Sequence, residues 1–184
     1  MKPHLQNLVA LLGPRALLLP IRKGTKKPSG KWKHLTIDDM SDPQHLAKLD
    51  RASNIGVALG DISSGLCSID IDLDELVEPF LKMNPSLKDT LCSKGARGCN
   101  FWVRITNGPL KAFSIRDDDR KIGEFRGSGN QTIIHGTHPS GAAYQVINEA
   151  LPIEITFDQL TFPYPYRENR ENRENRENKR DVPP

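Results

Sequence analysis

The sequence predicts an α/β protein, because segments with strand periodicity alternate along the chain with segments that have helical spacing. Residues 67–73 alternate apolar and polar side chains, which is typical of a strand with one buried face. Residues 5–12 carry leucine and valine at helical spacing and end at Gly13-Pro14. At 184 residues the chain is long enough for one well-buried domain.

The remaining elements follow from apolar runs that end at glycine, proline or a helix cap. Helices are expected at residues 38–49, after a cap at Thr36 or Asp38, and at residues 74–83, before Pro85. Strands are expected at residues 16–21, 54–59, 101–105, 121–126, 131–135 and 143–147. The turn signal Gly127-Ser128-Gly129-Asn130 predicts that the strands on either side of it form a hairpin.

The composition changes at Thr161, which divides the chain into residues 1–160 and residues 161–184. Residues 167–178 are four copies of Arg-Glu-Asn and offer no apolar face. We therefore expect a folded domain followed by a low-complexity, disordered tail.

The charges are segregated along the chain although the formal net charge is only +3. Residues 22–33 hold six basic and no acidic residues, and residues 61–78 hold six acidic and no basic residues. This pattern suits a polyanion bound beside a metal centre, and two solvated faces would also explain it.

Cysteine usage and hydropathy limit the cellular setting. The three cysteines do not have the spacing of a disulfide framework or of a C-x-x-C metal site, so we expect an intracellular, cytoplasmic protein. No segment approaches the ~20 apolar residues that a membrane-spanning helix needs, so no membrane partner is expected.

Asp70 and Asp72 are the first candidates for chemistry. In a strand they lie on one face, roughly 7 Å apart, and two such carboxylates repel unless a cation binds or one is protonated. Glu124 precedes a glycine turn and is a candidate third carboxylate, which would complete an oxygen site for two divalent ions. A salt-bridged surface glutamate is the alternative interpretation of Glu124.

Two further segments carry polar and charged groups. Residues 93–100 form a glycine-containing loop with two cations, which suits a triphosphate but is also common in surface loops. His135 and His138 lie close together in sequence and suggest zinc or nicking chemistry, although no third soft ligand is evident. Asp70, Asp72 and Asp74 do not form a calcium loop, because glycine and glutamate are missing at its sixth and twelfth positions.

Together these segments resemble the archaeo-eukaryotic primase superfamily. Asp70-Ile71-Asp72, the loop at residues 93–100 and Glu124-Phe125-Arg126-Gly127 match its three motifs in order. More narrowly, the sequence resembles the N-terminal primase-polymerase domain of plasmid and phage replication proteins. The resemblance covers residues 17–146 and ends with His138-Pro139-Ser140-Gly141 and Tyr144.

The resemblance implies a mixed sheet with an RRM-like catalytic half and template-directed transfer of a nucleotide to a 3′-hydroxyl. It implies two Mg²⁺ or Mn²⁺ ions on the catalytic residues Asp70, Asp72 and Glu124, and no organic cofactor. Asn100 stands where the family pattern usually has a histidine that contacts the incoming nucleotide. The expected nucleotide-binding residues, for NTP or dNTP, are Ser93, Lys94, Arg97, Asn100, Arg126, His135 and His138.

The expected macromolecular partners are a single-stranded DNA template and a helicase, the helicase being a domain beyond the C-terminus or a separate protein. The template phosphates would be contacted by lysines of the basic segment, namely Lys23, Lys26, Lys27 and Lys31. Two alternatives stay open. One is a replication-initiator or nucleic-acid-binding module that keeps the fold without strong catalysis, and the other is a nicking relaxase that uses His135, His138 and a tyrosine.

Overall fold

A computed structural model describes residues 1–163, and it confirms the predicted mixed α/β architecture. Within those residues the α-helices are α1 (Pro3–Leu12), α2 (Pro43–Arg51) and α3 (Asp74–Met83). The first five strands are β1 (Leu18–Ile21), β2 (Asn54–Ala58), β3 (Leu66–Ile71), β4 (Cys92–Lys94) and β5 (Cys99–Asn107). The last five are β6 (Phe113–Asp117), β7 (Arg120–Arg126), β8 (Gln131–His135), β9 (Gln145–Asn148) and β10 (Ile153–Thr156).

The strands form two sheets. The smaller sheet has the order β1-β2-β8 and is antiparallel throughout. The larger sheet has the order β6-β7-β3-β5-β4-β9, and β10 adds to it in parallel with β5. The acidic strand β3 therefore lies inside the larger sheet, with a neighbour on each side.

The two faces of β3 have different surroundings. Cys67, Ile69 and Ile71 are buried in an apolar cluster that includes Phe80 of α3. Because side chains alternate along a strand, Ser68 and Asp70 lie on the opposite face. On that side, Trp102 of β5 packs in a second apolar cluster with α1 and the smaller sheet. The polar face of β3 is therefore turned toward the smaller sheet.

The helix predicted at residues 38–49 is divided in two. A short 3₁₀ segment spans Ile37–Ser41, and α2 begins at Pro43. Asp42 caps α2, since its carboxylate accepts hydrogen bonds from the backbone N–H groups of Gln44 and His45. A residue before proline favours extended backbone, so the chain leaves helical geometry at Asp42.

The predicted hairpin between residues 121–126 and 131–135 is wrong, although both strands exist. β7 pairs with β3 and β6, whereas β8 pairs with β2 in the smaller sheet. The intervening turn is held by other segments, because the N–H of Ser128 donates to the carbonyl of Leu110 at 2.7 Å and its hydroxyl donates to Asp61 at 2.7 Å. The turn thus carries the chain from one sheet to the other.

Three strands were not predicted as such, namely β4, β6 and β10. The start of the expected loop at residues 93–100 belongs to β4, and its end belongs to β5. The Arg-Glu-Asn repeats lie outside the described residues. Within residues 1–163, no helix combines the length and the apolar character needed to cross a membrane.

Candidate active site

The register of the larger sheet places three predicted residues in one row. Asp70 of β3 is paired with Glu124 of β7 on one side and with Asn100 of β5 on the other. Directly paired residues of antiparallel strands share a face of the sheet, so these three side chains are neighbours. The residues come from separate parts of the sequence and meet because β3 lies between β5 and β7.

A cleft of about 650 Å³ is lined by two residues of this row, Asp70 and Asn100, whereas Glu124 is not among its lining residues. One part of its lining consists of residues predicted to be functional, and these are Lys26, Asp70, Asp72, Arg97, Asn100, Arg126 and His138. The other part consists of Gly95, Ala96, Gln131, Thr132, Ile133, Ser140 and Tyr144. The cleft therefore holds two carboxylates and three permanent cations, together with uncharged side chains.

Arg126 links the two carboxylates that face it on β3 and β7. Its Nη2 lies 2.7 Å from Oδ2 of Asp70, and its Nε donates to Oε2 of Glu124 at 2.7 Å. Lys121 forms a second ion pair with Glu124. In this structure Glu124 is therefore salt-bridged, as the alternative interpretation of this residue expected.

Burial and ion pairing act in opposite directions on the carboxyl groups. Burial raises the pKa of Asp70, and the positive charge of Arg126 offsets only part of that rise. Burial also acts to raise the pKa of Glu124, but the hydrogen bonds from Lys121 and Arg126 outweigh it and hold that pKa below its usual value. Glu124 therefore stays ionised more readily than Asp70.

Asp70 and Asp72 have the donor chemistry that Mg²⁺ and Mn²⁺ prefer, since both are carboxylates and both line the cleft. The raised pKa of Asp70 also fits a site where an additional cation would stabilise the carboxylate. Glu124 lies beside them, with its oxygens engaged by Lys121 and Arg126. Within residues 1–163, no three His, Cys, Asp or Glu side chains lie together as a preformed metal site while Glu124 keeps these ion pairs.

The loop between β4 and β5 is anchored at the start of α3. Asp74 forms an ion pair with Lys94 and accepts a hydrogen bond from the N–H of Gly98 at 3.1 Å. Gly98 has a φ of 64°, and a Cβ there would lie 1.8 Å from the carbonyl oxygen of Ile71. Glycine is required at this position, since it lets the loop pack against the end of β3 and bring Arg97 to the cleft.

Three predicted nucleotide-binding residues have structural contacts of their own. Ser93 is buried and accepts a hydrogen bond from Nε1 of Trp102 at 2.9 Å. Asn100 lines the cleft, where its Oδ1 accepts a hydrogen bond from the hydroxyl of Ser68 at 2.9 Å. His135 stacks on His4 with ring centroids 4.9 Å apart.

The two histidines are not brought together at the cleft. His138 lines it and its ring is in edge contact with Tyr144, whereas His135 is not among the lining residues. Burial lowers the pKa of both histidines, assisted by the charge of His4 on His135 and of Lys26 on His138. Of the four predicted DNA-binding lysines, Lys26 lines the cleft, and Lys23, Lys27 and Lys31 do not.

Sequence reasoning missed most of the uncharged side of the cleft. Tyr144 belongs to a motif of the resemblance, but no role was predicted for it. Gln131, Thr132 and Ile133 have only a strand pattern in the sequence, because nothing in their spacing shows which surface they face. Their place in the site depends on the pairing of β8 with β2, which is a long-range contact.

Comparison with protein families gives a match over most of the chain. A family model described as bifunctional DNA primase/polymerase, N-terminal, matches residues 10–157. This range contains the ten strands β1 to β10 and every residue that lines the cleft. A search of curated proteins finds no match.

Proposed function

The chain belongs to the bifunctional DNA primase/polymerase family, and from this we propose that its cleft transfers a nucleotide from NTP or dNTP to a 3′-hydroxyl on a DNA template. The observation that carries the proposal is that two carboxylates, Asp70 and Asp72, share one cleft with three cations. Nucleotidyl transfer needs carboxylates for divalent ions and cations for phosphates, and needs them side by side.

We assign Asp70, Asp72 and Glu124 as the ligands of two Mg²⁺ or Mn²⁺ ions. When bound, such ions increase the acidity of the attacking hydroxyl and neutralise the charge that develops on the leaving pyrophosphate. Asp70 and Asp72 already face the cleft, whereas Glu124 has to exchange its contacts with Lys121 and Arg126. The backbone pairing of Asp70 with Glu124 keeps the two carboxylates side by side on neighbouring strands while Glu124 exchanges these contacts.

Arg97, Arg126 and Lys26 are the cations that we assign to the triphosphate and the template phosphates. Arg97 is carried to the cleft by the loop that Asp74 anchors at Gly98. Arg126 neutralises Asp70 and Glu124 in this structure, and its guanidinium can turn to a phosphate once other cations neutralise those carboxylates. Arginine suits this exchange because its planar donors bind carboxylate and phosphate equally well.

The basic segment that contains Lys26 forms a tight loop beside the cleft. The N–H of Arg22 donates to the carbonyl of Lys27 at 2.9 Å, and Ile21 bridges to Pro28. Gln131 of β8 donates to the carbonyl of Lys26 at 2.7 Å and so fixes the loop to the smaller sheet. We propose that Lys23, Lys27 and Lys31 extend this surface along the template, and that a helicase supplies single-stranded DNA in the cytoplasm.

Incorporation of labelled nucleotides on a primed single-stranded template, with Mg²⁺ or Mn²⁺, tests the proposal. The wild-type chain is expected to extend the primer, and Asp72→Asn is expected to lose at least about 100-fold in rate, since it removes one metal ligand. Asp119→Asn, in the exposed turn between β6 and β7, is the matched control and should keep full activity.

Two results would contradict the proposal. Nucleotide and DNA binding without any incorporation would favour a binding module of the same fold. Cleavage of single-stranded DNA without added nucleotide would favour a relaxase instead.

A further inference from the structure

Thr132 has a buried hydroxyl whose hydrogen bonding is not satisfied. The residue is 3% exposed and lines the cleft. Its Oγ1 is one of two buried side-chain polar atoms that have no hydrogen-bond partner among residues 1–163. Buried hydroxyls are nearly always paired, because leaving one unpaired costs free energy. An unpaired hydroxyl in the wall of a cleft therefore points to a ligand.

Strand pairing shows which way Thr132 faces. It lies opposite Val57 of β2, and directly paired residues share a face of the sheet. Val57 packs in the same apolar cluster as Trp102 of the larger sheet. Thr132 thus lies on the face of the smaller sheet that is turned toward the carboxylates. Gln131, whose Oε1 is the other unpaired atom, is next to it on β8 and is already fixed by its bond to Lys26.

The cleft lining is divided by charge. Asp70, Asp72 and the cations supply the charged part, whereas Thr132, Ile133 and Tyr144 supply uncharged and largely apolar surface. Burial raises the pKa of Tyr144 to about 12, so its phenol is neutral at the pH of any nucleotide assay. A nucleotide is divided in the same way, into a charged phosphate chain and an uncharged nucleoside.

We infer that Thr132 and Tyr144 belong to the nucleoside subsite of the cleft, in which the hydroxyl of Thr132 bonds a sugar hydroxyl of the incoming nucleotide. This inference rests on the proposed function and extends it to a specific contact. A threonine hydroxyl can both donate and accept, as can a sugar hydroxyl, so the pair satisfies both groups. The ring of Tyr144, which also lines the cleft, provides apolar surface against which a nucleoside packs.

Calorimetric titration of the full chain with three ligands in Mg²⁺ tests the inference without requiring activity. The ligands are ATP, 2′,3′-dideoxy-ATP and tripolyphosphate. Thr132→Val keeps the shape and removes the hydroxyl, so it should weaken ATP binding about 5-fold, the usual effect of one lost hydrogen bond. Binding of dideoxy-ATP and tripolyphosphate should not change. Thr132→Ser retains a hydroxyl and should bind ATP like the wild type.

The melting temperature provides a second readout, with Thr90 as the matched control. Thr90 is fully buried, but its hydroxyl donates to the carbonyl of Trp102 and accepts from the N–H of Ile153. Thr90→Val should therefore lower the melting temperature and leave ATP affinity unchanged. Thr132→Val should not lower the melting temperature, since it removes a hydroxyl that has no partner in the free protein.

Four results would overturn the inference. Thr132→Val could behave like Thr90→Val, which would make the hydroxyl structural. It could weaken tripolyphosphate binding equally, which would place the contact at the phosphates. It could weaken dideoxy-ATP as much as ATP, which would exclude the sugar hydroxyls. A wild-type chain that binds none of the ligands would refute the proposed function together with the subsite, whereas the first three results refute the subsite alone.

Discussion

Arg126 and Asp70 form an ion pair across β7 and β3, with Nη2 of the arginine 2.7 Å from Oδ2 of the aspartate. The two side chains are only 25% and 15% exposed, so solvent screens the pair weakly. The same guanidinium donates to Glu124. A cation supplied by the chain therefore neutralises the carboxylates that we assign to divalent ions.

Replacing Arg126 with methionine should make stability depend on divalent ions. The substitution leaves Asp70 without its partner and close to Asp72 and Glu124, so the free energy of unfolding in EDTA should fall by about 1–3 kcal/mol, the usual cost of an unpaired, partly buried polar group. Addition of Mn²⁺ should restore part of the loss. Urea titrations of both proteins, with EDTA and with Mn²⁺, measure the effect.

The matched control is Arg116→Met, since the guanidinium of Arg116 is exposed and donates to the backbone carbonyl of Asp119 in the β6–β7 turn. Its unfolding free energy should change by less than about 0.5 kcal/mol in either condition, as is usual for surface substitutions. An Arg126→Met protein that Mn²⁺ does not stabilise more than it stabilises the wild type would show that the carboxylates do not share a cation site.

Asp70→Asn should change the pH dependence of stability. Burial raises the pKa of Asp70 in the folded chain, so the folded state binds its proton more tightly than the unfolded state does. The wild type should therefore lose stability as the pH rises from the ordinary aspartate range through this raised pKa. The asparagine variant has no such proton to lose. Its free energy of unfolding, relative to that of the wild type, should therefore increase as the pH rises through this range.

Urea titrations in EDTA at several pH values, with both proteins, measure the difference. The metal-free condition is needed because a bound cation would stabilise the ionised carboxylate and reverse the trend. A difference that stays constant or shrinks with rising pH would mean that Arg126 compensates fully for burial.

The acidic strand and α1 could be predicted because each has a complete local pattern. Alternation over residues 67–73 fixes which side chains of β3 share a face, and this placed Asp70 and Asp72 together. The pairing of β8 could not be predicted, because the turn after Gly127 has the composition of a hairpin turn. Its conformation is set by contacts with Leu110 and Asp61, which are distant in sequence.

The ion pairs of the site could not be predicted from local sequence patterns either. That Glu124 and Arg126 share a face of β7 follows from their spacing of two residues. Which carboxylate each cation meets depends on β3 being the neighbouring strand. The unpaired hydroxyl of Thr132 is likewise invisible in sequence, since burial without a partner is a property of the packed structure.

Asp74→Asn should loosen the loop that carries Arg97. The carboxylate of Asp74 accepts a hydrogen bond from the N–H of Gly98 and forms an ion pair with Lys94. The hydrogen bond from Lys94 also lowers the pKa of Asp74. An exposed ion pair contributes little to global stability, so the melting temperature should hardly change. Hydrogen exchange at Gly98 should become several-fold faster, and the KM for nucleotide should rise several-fold.

Glu75→Gln is the matched control, because Glu75 is the exposed neighbour of Asp74 in the first turn of α3. It should leave both the exchange rate and the KM unchanged. Unaltered exchange at Gly98 in Asp74→Asn would show that packing of the loop against Ile71, rather than the carboxylate, holds it in place.

Asn100 is the position at which the family pattern usually has a histidine, and it lines the cleft opposite Asp70. Its Oδ1 accepts from Ser68 at 2.9 Å, which leaves the amide NH₂ as the group able to donate to a phosphate. Asn100→Ala should therefore raise the KM for nucleotide several-fold and leave the affinity for template DNA unchanged. Nucleotide and template titrations measure the two effects separately.

Asn100→His should bind nucleotide more tightly than the wild type, and the gain should be larger at about pH 6 than at about pH 8. An imidazole has an ordinary pKa of about 6.5, so it carries a positive charge mainly at the lower pH. A charged donor to phosphate is stronger than a neutral one by about 1 kcal/mol, and Asp70 across the strand favours the protonated ring. Equal affinity of Asn100→Ala and wild type for nucleotide would mean that this side chain binds Ser68 and does not contact the nucleotide.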